Sequence, residues 1–390
     1  MRSTFVAEYI GGTAGALRLQ SGESLSRFYF GPGSRGVGLS LVTIVVLNYN
    51  YGRFVARAIE SALAQTYDLV EVVVVDNGST DHSLEVIAPF ERRARVVRLA
   101  TNIGQGQGYN LGFEAARGEW IIWLDADDLL DTDAIESCMS LVAVDTAKVQ
   151  FPLRLVDADG NRLGGQTPFL RHDGDVVPII RQFGHYAGPP GSGNLYRRSA
   201  VAPYFPVPPA QWPICTDTVP FLTAPFHGRV ADTGRAVGSY RLHAKATRDI
   251  PGYSGNYSVD MASEVRLNAA SRDGALALLL DRSGINVQGP FLTLPTHMRH
   301  RIISWRWAPN EHPYANDDAS TLRRQMAVAL ETCPGYSAFE RFLMYAWTVV
   351  VLYFPLPVAS ALMSSSGPRR IWSSLTRRFK HRDTVPQRGQ

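Results

Sequence analysis

The feature that most constrains this chain is a strand–helix rhythm repeated four times in the 85 residues from Leu41 to Asp125. Val42 to Leu47 is an unbroken apolar, β-branched run, the pattern of a strand buried on both faces. The turn residues Asn48-Tyr49-Asn50-Tyr51-Gly52 follow, and Phe54, Val55, Ala58, Ile59, Ala62 and Leu63 then recur at helical spacing. A second buried strand, Val70 to Val75, ends at Asp76-Asn77-Gly78-Ser79. Ser79 to Asp81 are good N-cap residues for a helix around His82 to Ala88. A shorter strand, Arg95 to Leu99, leads through a Gly-rich stretch to a helix over roughly Tyr109 to Arg117, stopped by Gly118. Trp120 to Leu124 forms the fourth strand and ends at Asp125. This alternation predicts an α/β fold with a mostly parallel sheet, flanking helices and right-handed crossovers. Ligands of such sheets bind beyond the carboxyl ends of the strands, where Asn48, Asp76 and Asp125 all fall.

Downstream, a helix is expected over Asp133 to Val144, then a strand over Val149 to Val156, a turn and another short strand. The stretch from Gly164 to Pro209 is rich in Gly and Pro and reads as irregular, and Trp212 to Tyr240 holds a helix and a strand. Beyond Thr247 the pattern turns helical: Val259 to Ala270, Ala275 to Asp281 and Ser320 to Glu331. A chain of 390 residues with 45% hydrophobic and 19% charged residues suits one large domain with additions. A net charge of +4 does not by itself call for nucleic acid, and no such partner is expected. Cys138, Cys215 and Cys333 match no metal-ligand spacing and read as reduced thiols. Residues 1–40 lack an apolar run fit for a signal peptide and read as a poorly specified arm.

Two Asp-Ala-Asp sequences have different contexts. Asp125-Ala126-Asp127-Asp128 leaves a buried strand at the ligand edge, and three carboxylates this close repel one another unless a cation sits among them. Mg²⁺ or Mn²⁺ suits such oxygen donors and is commonly shared with substrate phosphates, although a helix cap or solvated turn is the competing reading. Asp157-Ala158-Asp159 runs straight into Gly160-Asn161 between strand-like segments, which is hairpin-turn chemistry.

With these residues in view, the chain resembles the family-two glycosyltransferases, inverting enzymes of the GT-A fold. The resemblance rests on Val-Val-Leu-Asn-Tyr-Asn (45–50), Ala-Ile-Glu-Ser-Ala-Leu-Ala-Gln-Thr-Tyr (58–67) and Val-Val-Asp-Asn-Gly-Ser-Thr-Asp (74–81). It continues with Ala-Ala-Arg-Gly-Glu (115–119) and Trp-Leu-Asp-Ala-Asp-Asp (123–128), all in the family's order and spacing. The resemblance implies a nucleoside-diphosphate sugar donor of UDP or dTDP type and a saccharide or lipid-linked acceptor. Asn48, Tyr49 and Asn50 would lie at the nucleotide, and Asp76 and Asn77 would meet the base edge. Many relatives carry Asp-Asp at that pair, so Asn77 offers a carbonyl oxygen in place of a carboxylate. Gly104, Gln105 and Asn110 would belong to a donor-facing loop at a helix start. Asp125 would face the ribose or sugar and share the metal that Asp127 ligates.

An inverting transfer also needs a carboxylate to take the acceptor's proton. In the family this base opens a helix after a Gly- and Arg-containing strand. Gly191-Ser192-Gly193-Asn194-Leu195-Tyr196-Arg197-Arg198-Ser199 resembles that strand, and the acid that follows is Asp217, read as the base because no other acid lies between Asp175 and Asp232, with a helix N-cap as the competing reading. Tyr240-Arg241-Leu242-His243 resembles the family's Tyr-Arg-x-His. Arg241 would neutralise the leaving diphosphate, and His243 would join the metal or remain structural. The Gln-x-x-Arg-Trp signature of processive synthases is absent from the sequence, implying transfer of one sugar at a time.

The sequence thus divides into the arm, a GT-A catalytic domain over 41–247, a helical extension over 248–338, and an apolar segment with a basic tail over 339–390. Tyr345 to Met363 carries no charge over 19 residues, with Pro355 and Pro357 inside it, and six basic residues follow between Gly367 and Arg382. A monotopic or re-entrant anchor, a single span, and a buried helix all fit that pattern. The anchor would hold the protein on the cytoplasmic face of the cell membrane, near a lipid-linked acceptor. Two other functions remain open: a non-catalytic sugar-nucleotide-binding subunit, and a nucleotidyltransferase, which would want Arg and Lys in a Gly-rich loop after the first strand.

Overall fold

The computed structural model describes residues 8–10, 16–18, 40–242 and 261–363, the last three by their backbone alone. His243, the boundary at Thr247 and the basic tail lie outside the described residues. The chain divides into two compact units at residues 39 and 40. In the first, β1 (Glu8–Ile10) pairs antiparallel with β2 (Ala16–Arg18).

In the second unit, β3 (Val42–Asn48), β4 (Val70–Asp76), β5 (Arg95–Arg98) and β6 (Trp120–Asp125) lie parallel in the order β6-β3-β4-β5. α1 (Val55–Leu63), α2 (Ser83–Ile87) and α3 (Gln105–Ala115) make the crossovers. After β7 (Leu129–Leu130) and α4 (Ala134–Met139), the sheet gains β8 (Thr146–Gln150), then β11 (Asn194–Arg197) and β12 (Arg229–Asp232). The seven strands follow the order β12-β8-β11-β6-β3-β4-β5, with β11 antiparallel to both its neighbours and every other pairing parallel. A smaller sheet, β10-β9-β13-β7, joins β9 (Leu153–Val156), β10 (Arg162–Thr167) and β13 (Gly238–Arg241) to β7. The stretch read as irregular holds most of β10, together with α5 (Val177–Phe183), β11 and α6 (Arg198–Val201); α7 (Thr218–Thr223) comes next.

Alternation along the strands fills two cores, one on each face of the large sheet. Val42, Ile44, Val46, Ile122 and Leu124 meet α1 through Val55, Ala58, Ile59 and Ala62. Val45, Val73, Val75, Ile121 and Trp123 point the other way, toward Tyr109, Phe205 and Leu222. That second core also takes Ala275, Leu276, Leu278 and Leu279 from α8 (Met261–Ser283). The expected break between Ala270 and Ala275 does not occur: α8 is continuous, and Gly274 lets the Trp212 ring approach, where an added Cβ would sit 3.1 Å from Trp212 Cζ2. The extension is therefore built onto the sheet's own core. α3 likewise begins a turn before Tyr109, because tertiary contacts stabilise its Gly-rich first turn against poor helix propensity.

α9 (Pro295–Trp307), α10 (Ala319–Thr332) and α11 (Ala338–Tyr353) form a third core with Met298, Ile302, Met326, Leu330, Val351 and Leu352. α12 (Leu356–Met363) follows a break at Phe354-Pro355, so the 345–363 segment is not one helix. Among the described residues, no helix is long and apolar enough to cross a membrane. Cys138, Cys215 and Cys333 are free thiols.

Asp317, buried behind α9, accepts two hydrogen bonds from Arg301 at 2.6 and 2.5 Å and pairs with His312 Nε2 at 2.9 Å. His312 Nδ1 meets Ser304 Oγ at 2.9 Å. This Ser–His–Asp chain is a clamp on the 308–318 loop, since Ser304 is fully buried and Arg301 already neutralises the carboxylate. Replacing Asp317 by Ala leaves a largely buried guanidinium uncompensated and should cost about 2–4 kcal/mol in urea unfolding.

Candidate active site

Strand register assembles the site's edge. β3 and β4 align Asn48 with Asp76, and β3 and β6 align Leu47 with Asp125, so the three polar residues line the carboxyl ends as expected. Asn48 Nδ2 donates to Asp76 Oδ2 at 2.7 Å, and Ser79 donates to the same carboxylate through its N–H (2.9 Å) and hydroxyl (2.7 Å). Gly78 makes this turn possible: its φ is +74°, and a Cβ there would stand 2.3 Å from the Thr101 carbonyl carbon. Asn50 adopts φ 57° and accepts from Thr80 N at 2.7 Å, which fixes the loop between the two strand ends. Asn77 donates to Gly104 O at 2.9 Å. The side-chain oxygens of Asn48 and Asn77 are buried without a hydrogen-bond partner, while Tyr49 stands exposed beside them.

At the end of β6 the acidic run separates by task. Asp125 N donates to Ser192 Oγ at 3.1 Å, tying the strand end to the 191–193 turn ahead of β11. Asp128 turns toward β13, where its Oδ1 accepts from Arg241 N at 3.0 Å. Burial, then the charges of Asp127 and Asp125, hold the Asp128 carboxyl well above its ordinary value. Burial, then the charges of Asp127 and Asp217, push Asp125 up to about 8. Asp217 therefore stands within electrostatic reach of the strand-borne pair. A Cβ on Gly191 would come 3.6 Å from Asp217 Cβ, so the glycine gives that residue its room. Asp217 occupies the N-cap position of α7 without a capping hydrogen bond from its side chain, and burial raises its carboxyl too.

Four residues expected at the donor brace the chain around the site. Gln105 N and Gly106 N, at the start of α3, donate to Pro213 O (3.0 Å) and Trp212 O (2.8 Å) in place of a phosphate. Gly104 allows that approach, its Cβ position lying 3.1 Å from Pro213 Cα, and Gln105 Oε1 accepts from Thr216 N at 2.8 Å. These residues therefore fix the loop that carries Asp217. The Asn110 amide bonds both backbone groups of Val207 at 2.8 Å. Arg241 is buried, and its guanidinium donates to the carbonyls of Asp127 (2.8 Å), Asp157 (3.2 Å) and Ala158 (2.9 Å). It thus anchors the hairpin turn at Asp157 to the acidic run. The turn reading of Asp157 holds, as its Oδ1 accepts from Asp159 N and Asn161 N.

Ser192, Tyr51 and Tyr240 were missed as site residues. Both tyrosine hydroxyls have raised values, from burial and then from the carboxylates of the acidic run, which places them against it. Tyr51 sits within the Asn-Tyr-Asn-Tyr turn, and Ser192 lies between two glycines, so each is carried by a motif that the sequence displays. Among the described residues, no group of three His, Cys, Asp or Glu is gathered to hold a metal by itself. Asp125 and Asp127 nevertheless supply hard oxygen donors whose crowded charge a divalent cation would relieve, with phosphate and water completing its shell.

The mostly parallel sheet, its flanking helices and the acidic run at the end of β6 together make an architecture of the GT-A type. Residues 43–205 match the family described as Glycosyl transferase family 2. An uncharacterized glycosyltransferase of Nostoc sp. is 33% identical over 210 residues, 52% of this chain and 65% of that protein. The succinoglycan biosynthesis protein ExoO of Rhizobium meliloti is 40% identical over 124 residues, 31% of this chain and 36% of that protein. The crystal structure of S. aureus TarS 1–349 has 15% sequence identity and a TM-score of 0.47, covering 80% of this chain and 83% of that one. The matches span less than two-thirds of the length of these two curated relatives. Residues 43–205 therefore form a domain of the family 2 glycosyltransferase type.

Because Asp125, Asp128 and Asp217 all have raised values, the folded state holds protons that the unfolded state releases between the ordinary carboxylate range and about pH 8. Metal-free protein should therefore lose stability as pH rises through that window. Asp125→Asn should flatten the fall, and Mn²⁺ should raise Tm more at pH 8 than at pH 6. An Mn²⁺ effect equal at both pH values would contradict this electrostatic account.

Proposed function

We propose that the chain moves one sugar, with inversion, from a nucleoside-diphosphate sugar to a saccharide or lipid-linked acceptor in polysaccharide or cell-envelope glycan synthesis. The observation that carries this reading is the packing of Asp217 against Gly191, in the turn whose Ser192 is bonded to Asp125 at the end of β6. The biosynthetic setting draws on the named role of the succinoglycan relative.

At the donor end, the unpartnered oxygens of Asn48 and Asn77 are acceptors suited to the ring N–H of a uracil or thymine, and Tyr49 offers a ring beside them. Asp127 with Asp125 would hold Mg²⁺ or Mn²⁺, which supplies positive charge against the diphosphate. Asp217 accepts the proton of the acceptor hydroxyl as its oxygen bonds to the anomeric carbon. The bond from that carbon to the diphosphate oxygen breaks with its electron pair leaving on the diphosphate. Burial favours this role by making the carboxylate a stronger base than a solvated one. The acceptor would be met on the cytoplasmic side, with the protein peripheral on the membrane.

Asp217→Asn should lower transfer by roughly 10²- to 10⁴-fold while leaving nucleotide affinity within about twofold by calorimetry. Wild-type turnover in that variant would remove Asp217 as the base. Release of a nucleoside diphosphate from nucleotide sugars marks a transferase, release of pyrophosphate from a nucleoside triphosphate and a sugar 1-phosphate marks a nucleotidyltransferase, and binding without either marks a non-catalytic subunit.

A further inference from the structure

α11 presents two unlike faces. Met344, Thr348, Val351 and Leu352 are buried in the third core. Phe339, Phe342 and Tyr353 recur at helical spacing on the opposite side, and Phe354, Leu356 and Val358 extend the exposed apolar surface across the Pro355 break. Phe342 is 67% exposed, far more than a core-seeking aromatic side chain tolerates without a partner. No charged residue occurs from Phe342 to Met363.

Arginines border this surface. Arg299 lies over the Trp347 ring at 5.0 Å, Arg306 donates to Phe354 O at 2.8 Å, and Arg323 donates to Tyr345 Oη at 3.3 Å. The sequence then supplies Arg369, Arg370, Arg377, Arg378, Lys380 and Arg382, with no acid between Met363 and Asp383. An uncharged aromatic stripe with a cationic border suits the headgroup region of an anionic bilayer, where rings bury beside phosphates and arginines pair with them. Each helix here is too short to cross the bilayer, so contact in the plane of the interface is the geometry left to them.

We propose that the exposed face of α11 and α12 docks in plane on an anionic lipid surface, with Phe342 and Tyr353 as its apolar anchors. This specifies the membrane contact of the proposed function but does not depend on the sugar chemistry.

The test uses the full-length chain, sedimented with phosphatidylcholine or phosphatidylglycerol vesicles. Binding should favour phosphatidylglycerol and weaken with salt. Joint substitution Phe342→Glu and Tyr353→Glu should lower it roughly tenfold, and deletion of 364–390 should reduce the preference for anionic lipid. Both anchors are exposed, and far-UV circular dichroism and Tm verify that the variant folds. Failure to bind either vesicle, or undiminished binding by the double variant, would overturn the proposal. So would a dimer in gel filtration that the double variant splits without any effect on vesicle binding, since the stripe would then join two copies. Stabilisation by nucleotide sugar, read on the same samples, reports on the transferase assignment separately.

Discussion

The rest of the site depends on the crowding of negative charge at the end of β6. Register with β3 delivers Asp125 and Asp127 to one edge, and the fold brings Asp217 toward them from the far side of the Gly191–Gly193 turn. Left uncompensated, that crowding pushes Asp125 toward neutrality and works against folding. The surrounding structure holds it together by hydrogen bonds with uncharged groups: the Asp125 N–H donates to Ser192 Oγ, and the Asp128 carboxyl bonds Ser192 and the Arg241 N–H. A divalent cation among these carboxylates would relieve that repulsion.

The same economy of contacts explains why the C-terminal helices are part of the catalytic body. The loop bearing Asp217 is held on one side by the first turn of α3 and on the other by α8, whose Gly274 receives Trp212. α8 in turn shares apolar contacts with the sheet. Displacing the extension would therefore disturb the placement of Asp217, even though no residue of α8 needs to touch a substrate. The outer face of the next helices is left apolar and exposed at Phe342 and Tyr353.

Much of this was legible in the chain. Continuous β-branched runs such as Val42 to Leu47 can only be strands covered on both faces, and the polar residues ending them must then share one edge. The hairpin at Asp157 was equally readable, because an Asp followed by Gly-Asn satisfies its own turn. Local signals failed where distant contacts outweigh propensity. The glycines from Gly104 to Gly108 suggested a donor-facing loop, and Gly104 and Gly106 serve close packing against Trp212 and Pro213, a hundred residues on. Arg241 looked like a counter-charge for diphosphate, yet its partners are carbonyls brought to it by the small sheet.

The sequence by itself determined the parallel sheet, its ligand edge and the residues that edge carries, because side-chain alternation and turn chemistry are local properties. Only the tertiary structure decided which acids face one another, which glycines make room for chain and which for ligand, and where the C-terminal helices attach. Those outcomes depend on burial and on partners far apart in the chain. A carboxylate's charge state, like a helix's exposed face, is fixed by what the fold packs around it.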